Sequence, residues 1–271
     1  MALHTLLLLA VVQGITEFLP VSSSAHLILL PGLTGSEDQG VAIDVAVHVG
    51  TLGAVCLYFR REVGWLVRGL GEVLTGRFGG PAARFFLLLV LATIPVVLGG
   101  AVLYFTDWID ALRSLRVIGW TMLGFGIVLY LADRNRKRDR RERDWNTWDA
   151  LVMGLWQAIA LIPGTSRSGA TITAARILGF GREDGARLAM VLSIPTITAS
   201  GVLLAGDAAR LADWRLLGQG ALAALFAFVA AYLALALMLF FLRTTSFTPY
   251  VIYRVLLGGV LLGISYTGGG G

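Results

Sequence analysis

The chain has 271 residues, of which 56% are hydrophobic and only 14% charged, with a mean hydropathy of +0.77. A water-soluble chain carries about 25% charged residues, and several apolar stretches here run about 18–22 residues without an ionised group, enough to span lipid. These figures exclude a secreted disulfide scaffold, a cytosolic enzyme and a nucleic-acid binder, and the single cysteine, Cys56, excludes a disulfide framework or a cysteine metal site.

In chain order, residues 1–10 are apolar without a basic leader or a clean small-residue cleavage site, so no removed signal is expected. Residues 3–30 are apolar but broken by Glu17, Pro20 and Ser22-Ser23-Ser24. Three spans follow, at about 41–59, 85–105 and 116–132. A loop at 133–147 holds seven of the 22 bases: Arg134, Arg136, Lys137, Arg138, Arg140, Arg141 and Arg143. It reads as a cytoplasmic loop obeying the positive-inside rule, with a lipid-headgroup patch as the competing reading. Residues 151–178 repeat the broken pattern around Pro163-Gly164-Thr165-Ser166-Arg167-Ser168-Gly169, and three more spans follow at about 186–205, 217–241 and 250–266. Trp108, Trp120, Trp145, Trp148 and Trp214 flank spans and read as interface anchors.

A straight helix through either broken segment would place charge, proline and hydroxyls in lipid. Irregular backbone at that depth is tolerated only inside protein or beside a wet cavity, so both read as re-entrant helix hairpins. They also resemble each other. Gln13 precedes Ser22 by nine residues and Ser24 by eleven, and Gln157 precedes Ser166 and Ser168 by the same intervals. Each hairpin is followed by three spans, an odd number, which turns the second half upside down. The expectation is an all-α polytopic membrane protein of six transmembrane helices and two hairpins. It forms one integral membrane domain over 1–271, with inverted repeats at about 1–132 and 148–266. Such repeats build buried polar sites where broken helices meet. With the N-terminus outside, sixteen bases fall in inner segments and four in outer ones, so both termini are expected outside.

Ionisable groups inside a membrane are costly and are functional candidates by default: Glu17, His26, Asp44, His48, Arg167 and Arg254. Arg167 lies among hydroxyls and glycines. A guanidinium fork grips phosphate oxygens in a bidentate way, and a helix starting near Ser168 would add free amides. The competing reading pairs Arg167 with Glu17 structurally across the repeat. Gln13 and Glu17, one turn apart, put two oxygen-bearing side chains on one face. A hard cation such as Mg²⁺ or Ca²⁺ would reconcile the Glu17 carboxylate with a bound phosphate, and a general-base role for Glu17 stays open. Ser23 and His26, at i and i+3, have the spacing of a nucleophile and its base. Asp44 and His48 read as flanking the site or as a structural pair, and Arg254 as a structural residue snorkelling towards the inner face.

The segments Gln13-Gly-Ile-Thr-Glu17-Phe-Leu-Pro-Val-Ser-Ser-Ser-Ala-His26 and Pro163-Gly-Thr-Ser-Arg-Ser-Gly-Ala-Thr171 closely resemble the two signatures of the bacterial undecaprenyl-diphosphatase family, also known for bacitracin resistance. The resemblance extends to Asp44, His48-Val-Gly-Thr51 and Tyr253-Arg254. It implies an inner-membrane enzyme that removes the terminal phosphate of a polyprenyl diphosphate lipid, recycling the carrier for peptidoglycan and other envelope polymers. It further implies Glu17 working with a divalent metal, Ser23 as nucleophile, His26 as its acid/base partner and Arg167 as diphosphate clamp. Ser22, Ser24, Gly164, Ser166, Ser168 and Thr171 would support the substrate. Gln13 is a departure, because many members carry glutamate there; its carbonyl would be a neutral ligand. Attack by metal-activated water or by His26 stays open, and a homodimer is compatible with the sequence.

One rival is a lipid-phosphate carrier or flippase using the same midplane site. A second, the other membrane lipid-phosphatase superfamily, needs a histidine after its Ser-Arg element. The only histidines here are His4, His26 and His48, so that pattern fails. A purely structural scaffold would leave Glu17 and Arg167 in lipid without a reason.

Overall fold

The computed structural model describes residues 2–35, 39–106, 112–134, 140–211 and 214–267, without the side chains of 33–34 and 205–215. The first half comprises α1 (Leu3–Phe18), α2 (Ser23–Thr34), α3 (Gly40–Tyr58), α4 (Arg60–Leu74), α5 (Pro81–Thr106) and α6 (Leu115–Arg134). After a 3-10 turn at Glu142–Asp144 come α7 (Thr147–Ile159), α8 (Arg167–Ile177), α9 (Arg182–Leu211), α10 (Trp214–Phe241) and α11 (Thr248–Thr267). Among the described residues the only β pairing is an isolated bridge between Arg140 and Phe180.

Six of these helices are long and apolar enough to cross a membrane: α3, α5, α6, α9 over Arg182–Leu204, α10 over Leu216–Phe241, and α11. They match the six expected spans one for one. Leu98, Leu131, Val202, Phe240 and Leu256 are each at least 60% exposed on them, an apolar outer surface that a water-soluble protein would bury. The chain is a multi-pass, all-helical membrane protein. Both interrupted segments are two short helices joined by a break, and neither Pro20 nor Pro163 is helical. One helix was not anticipated. α4 carries Arg60, Arg61, Glu62, Arg68 and Glu72, and exposes Trp65, Val67, Leu70 and Leu74.

Lipid tails are as apolar as leucine, so helices in a membrane associate through close packing of small residues. α1 and α3 both lie along α10, whose Ala223, Ala227 and Ala231 are buried. A Cβ added at Gly14 of α1 would stand 2.6 Å from the Ala227 carbonyl oxygen. In the second half α7 lies along α5, where a Cβ at Gly154 would stand 2.5 Å from the Ala92 carbonyl oxygen. The first helix of each broken segment therefore packs on a span of the other half. α3 and α9 also pack together, as do α6 and α11, and α8 sits among α6, α7 and α9.

Polar contacts tie one end of this bundle. Buried Asp133 accepts from Arg176 Nε at 3.0 Å, Arg182 Nε at 2.9 Å and the Phe247 backbone N–H at 3.2 Å, joining α6, α8, α9 and the entry to α11. Arg140, from the arginine-rich run, donates to both Asp149 oxygens at 2.9 and 2.5 Å. Residues 135–139 of that run lie outside the described residues, as do Trp108 and the Trp214 side chain. Trp120 and Trp148 are exposed. Trp145 is not an anchor: it is 4% exposed and packs edge-on against Phe85.

Candidate active site

The two breaks share one backbone device. Ser22 has φ 72° and ψ 91°, and Ser166 has φ 70° and ψ 114°. Among the described residues they are the only non-glycine positions with positive φ, a conformation that costs about 1–3 kcal/mol and persists only where the surroundings impose it. Each serine is the N-cap of the helix that follows, α2 or α8. Each also makes the same local contact, with Ser22 Oγ 3.2 Å from Ser24 Oγ and Ser166 Oγ 3.1 Å from Ser168 Oγ. Ser166 Oγ additionally accepts from the Gly169 N–H at 3.1 Å.

Both turns are held by Arg254 of α11, which has no accessible surface. Its guanidinium donates to the carbonyls of Pro20 at 3.4 Å, Gly164 at 3.1 Å and Thr165 at 2.8 Å, and to Thr121 and Met122 of α6. The expected inward snorkelling is therefore wrong. Three of the five Arg254 acceptors are carbonyls at the two breaks, where the helices leave them without partners. Ser168 Oγ adds a further tie between the hairpins, donating to the Leu19 carbonyl at 2.9 Å.

A cavity of about 170 Å³ lies where the breaks meet. The first hairpin contributes Glu17, Ser22, Ser23 and Ser24, and the second contributes Ser166 and Arg167. The start of each short helix thus faces it, and helix N-termini carry partial positive charge and unpaired N–H groups. Glu17 is the hub. Its Oε1 accepts from Arg167 Nη2 at 2.5 Å, and its Oε2 accepts from Ser23 Oγ at 2.7 Å and from Gln13 Nε2 at 2.9 Å. The Glu17–Arg167 pair posited as the structural alternative is present, yet it leaves Arg167 Nη1 buried without a partner. Gln13 Oε1 is likewise buried and unpartnered.

His26 is not brought to Ser23. Its Nδ1 donates to the Ser22 carbonyl at 2.7 Å, which leaves Nε2 of the neutral ring to accept from the Tyr253 hydroxyl at 2.5 Å. The two rings stack with centroids 5.7 Å apart. The i, i+3 spacing misled because helical side chains lean back towards the N-terminus, so His26 reaches the turn before Ser23 and the Ser23 hydroxyl points to Glu17. Gly164, Ser168 and Thr171 are also absent from the cavity wall. Gly164 serves through its carbonyl, and Thr171 Oγ1 donates to the Arg167 carbonyl of its own helix at 2.9 Å.

His48 does reach the cavity, with Nε2 3.9 Å from Glu17 Oε2. Its Nδ1 donates to the Asp44 carbonyl at 2.7 Å, which turns the Nε2 lone pair towards the carboxylate. Thr196 and Ser200 of α9 complete the wall. Their hydroxyls within an apolar span were the available signal, but a search for ionisable groups passes over them. No cluster of three His, Cys, Asp or Glu side chains occurs among the described residues. Glu17 Oε2 and the orphaned Gln13 Oε1 are nevertheless oxygen donors of the kind a hard divalent cation accepts, whereas the His48 imidazole suits softer metals.

Beside the polar cavity lies an apolar hollow of about 400 Å³ between α5, α7 and α9, lined by residues such as Val97, Ala101, Leu161, Ala199 and Leu203. The two spaces share Ala160, Arg167, Thr196 and Ser200. A polar pocket and an apolar one therefore lie against the same four residues.

Comparison with known proteins gives the lineage. A family profile described as bacitracin resistance protein BacA matches residues 6–260. The undecaprenyl-diphosphatase of Ruegeria pomeroyi is 62% identical over 267 residues, covering 98% of this chain and 100% of the relative. That of Jannaschia sp. is 59% identical over 266 residues, with the same coverage, and undecaprenyl-diphosphatase 1 of Rhodospirillum rubrum is 45% identical over 276 residues, covering 99% and 97%. With near-complete coverage at these identities, the chain belongs to the bacitracin resistance protein BacA family.

Proposed function

We propose that this protein hydrolyses undecaprenyl diphosphate to undecaprenyl phosphate and inorganic phosphate, recycling the carrier for peptidoglycan and other envelope polymers and conferring bacitracin resistance. The observation that carries the reading is Arg167. Its Nη1 is buried without a partner, and Arg167 lines both the cavity that holds Ser23 and Glu17 and the neighbouring apolar hollow. A diphosphate with a long prenyl tail has the matching polarity. The names of the relatives point to the same substrate.

Phosphoryl transfer requires positioning and charge neutralisation more than covalent ingenuity. Arg167 holds Glu17 through Nη2 and takes a phosphate oxygen through Nη1, so one guanidinium bridges two anions. Ser22, Ser24 and the starts of α2 and α8 supply further donors. Ser23 Oγ attacks the terminal phosphorus as its proton passes to Glu17 Oε2, 2.7 Å away. The bond from that phosphorus to the bridging oxygen breaks, and undecaprenyl phosphate leaves with the oxygen. Water then attacks the phosphoserine, the proton on Glu17 returns to Ser23 Oγ, and inorganic phosphate departs with the water's protons. His26 is a positioning residue in this scheme, fixing the Ser22 turn from behind.

A divalent cation, Mg²⁺ or Ca²⁺, would be held by the oxygens of Glu17 and Gln13; when bound it would supply positive charge against the phosphate oxygens. The protein is assigned to the plasma (inner) membrane with both termini outside, on the sixteen-to-four division of bases. The crossed packing of α1 on α10 and α7 on α5 supports re-entrant hairpins in an inverted repeat over about 1–132 and 148–266.

The test is phosphate release from undecaprenyl diphosphate by purified protein in detergent, with and without a chelator. Release that falls on chelation and returns with Mg²⁺ or Ca²⁺ is expected. Lipid binding without any phosphate release would overturn the enzyme reading in favour of a carrier.

A further inference from the structure

A larger hollow, of about 670 Å³, lies at the end of the molecule that carries the arginine-rich run. It forms where α4, the start of α5, the Glu142–Asp144 turn and the start of α9 meet, and shares no residue with the catalytic cavity. Arginines dominate its wall: Arg61, Arg84, Arg141 and Arg143. None of the four has an acidic partner among the described residues, in contrast to their neighbours. Arg140 is held by Asp149, Arg176 and Arg182 by Asp133, and Arg187 by Glu62 and Glu142.

The acids of the hollow are already engaged. Glu62 and Glu142 are both taken by Arg187, and Asp184 accepts the Glu142 backbone N–H at 3.0 Å. One further donor is unused: Trp145 lines the hollow while 4% exposed, and its indole N–H is buried without a partner. Four unpaired guanidinium groups and an orphaned N–H around one space call for an anion with several acceptor oxygens.

The neighbouring surface identifies its source. Trp65 forms part of the wall and is half exposed, and Val67, Leu70, Leu74 and Phe78 are exposed on or just beyond α4. An amphipathic helix with a basic side and an exposed apolar side lies in the membrane interface. Tryptophan is favoured at headgroup depth. A soluble phosphate would gain nothing from that apolar rim, whereas an acyl chain would cover it. We propose that this hollow binds the phosphate headgroup of an acidic phospholipid, with its acyl chains against α4.

The test uses the full-length protein in detergent with equal amounts of phosphatidylglycerol and phosphatidylcholine, bound lipid being counted by native mass spectrometry. Wild-type protein should retain phosphatidylglycerol preferentially. Each arginine contributes about 1 kcal/mol at a membrane surface, so Arg84→Gln and Arg143→Gln should each weaken retention about five-fold. Phosphate release by these variants should stay at the wild-type rate in zwitterionic detergent, which also reports that they are folded. Equal retention of both lipids by the wild type overturns the proposal without any variant. Displacement of phosphatidylglycerol by millimolar inorganic phosphate overturns the lipid assignment, because a site for the free ion alone would not need the apolar rim.

Discussion

The two broken segments share one backbone turn and carry opposite charges. Ser22 and Ser166 adopt the same strained conformation, and the Ser22–Ser24 and Ser166–Ser168 contacts differ by 0.1 Å. Counting from those serines, Ser23 in the first hairpin corresponds to Arg167 in the second, Glu17 to Leu161 and His26 to Ala170. Gln13 corresponds to Gln157, and both are buried; Gln13 donates to Glu17, whereas neither amide atom of Gln157 has a partner. The shared residues therefore build the turn. The divergent ones put a hydroxyl and a carboxylate on one segment and the guanidinium that faces them on the other. Neither hairpin is a site alone.

That division sets the order of expected effects. In the proposed mechanism Ser23→Ala removes the attacking atom but not the anion cradle, so turnover should fall about 10³-fold or more while the lipid diphosphate still binds. Phosphate release and direct lipid binding, measured together, check this. A near-wild-type rate would transfer the attack to water or His26. Next comes Arg167→Lys on the opposite hairpin. It keeps the charge and loses the fork, so both binding and turnover should weaken, turnover by about 10²-fold. Unchanged behaviour would remove the main support for a phosphate site between the breaks.

A further pair of variants separates Glu17 from His26. If Glu17 takes the Ser23 proton, Glu17→Gln should reduce kcat about as severely as Ser23→Ala. His26→Ala, which loosens the Ser22 turn, should cost about ten-fold, and Tyr253→Phe less. The alkaline and acid limbs of the rate profile should keep their midpoints in the His26 and Tyr253 variants. A lost limb in His26→Ala would restore His26 as the acid/base group.

Much of this was legible in the sequence for a physical reason. An apolar run of about twenty residues is a strong signal because lipid offers the backbone no other partner, and all six spans emerged within a few residues. The two breaks were betrayed by proline and hydroxyls inside apolar runs. α4 was missed because five charges in fifteen residues read as loop. The Ser23–Glu17 contact was missed because it crosses a break at i and i+6, where no helical periodicity applies. Arg254 was misread for a related reason. Its acceptors lie 89 to 234 residues away, and a chain read locally offers it only the membrane surface.

The smallest predicted effect bears on the backbone that the hairpins share. Glycine adopts positive φ without the penalty imposed by a Cβ, so replacing either strained serine should relieve strain. The two sites differ in what the hydroxyl does. Ser22 Oγ caps no backbone N–H, whereas Ser166 Oγ accepts from Gly169 at 3.1 Å, and replacing a serine cap by glycine costs a few tenths of a kcal/mol. Ser22→Gly should therefore stabilise the protein by about 1 kcal/mol, and Ser166→Gly by less. Thermal melting of the two variants in the same detergent makes the comparison. Destabilisation by Ser22→Gly beyond that by Ser166→Gly would mean that the Ser22 hydroxyl holds the turn, and that the common backbone geometry of the hairpins rests on different supports.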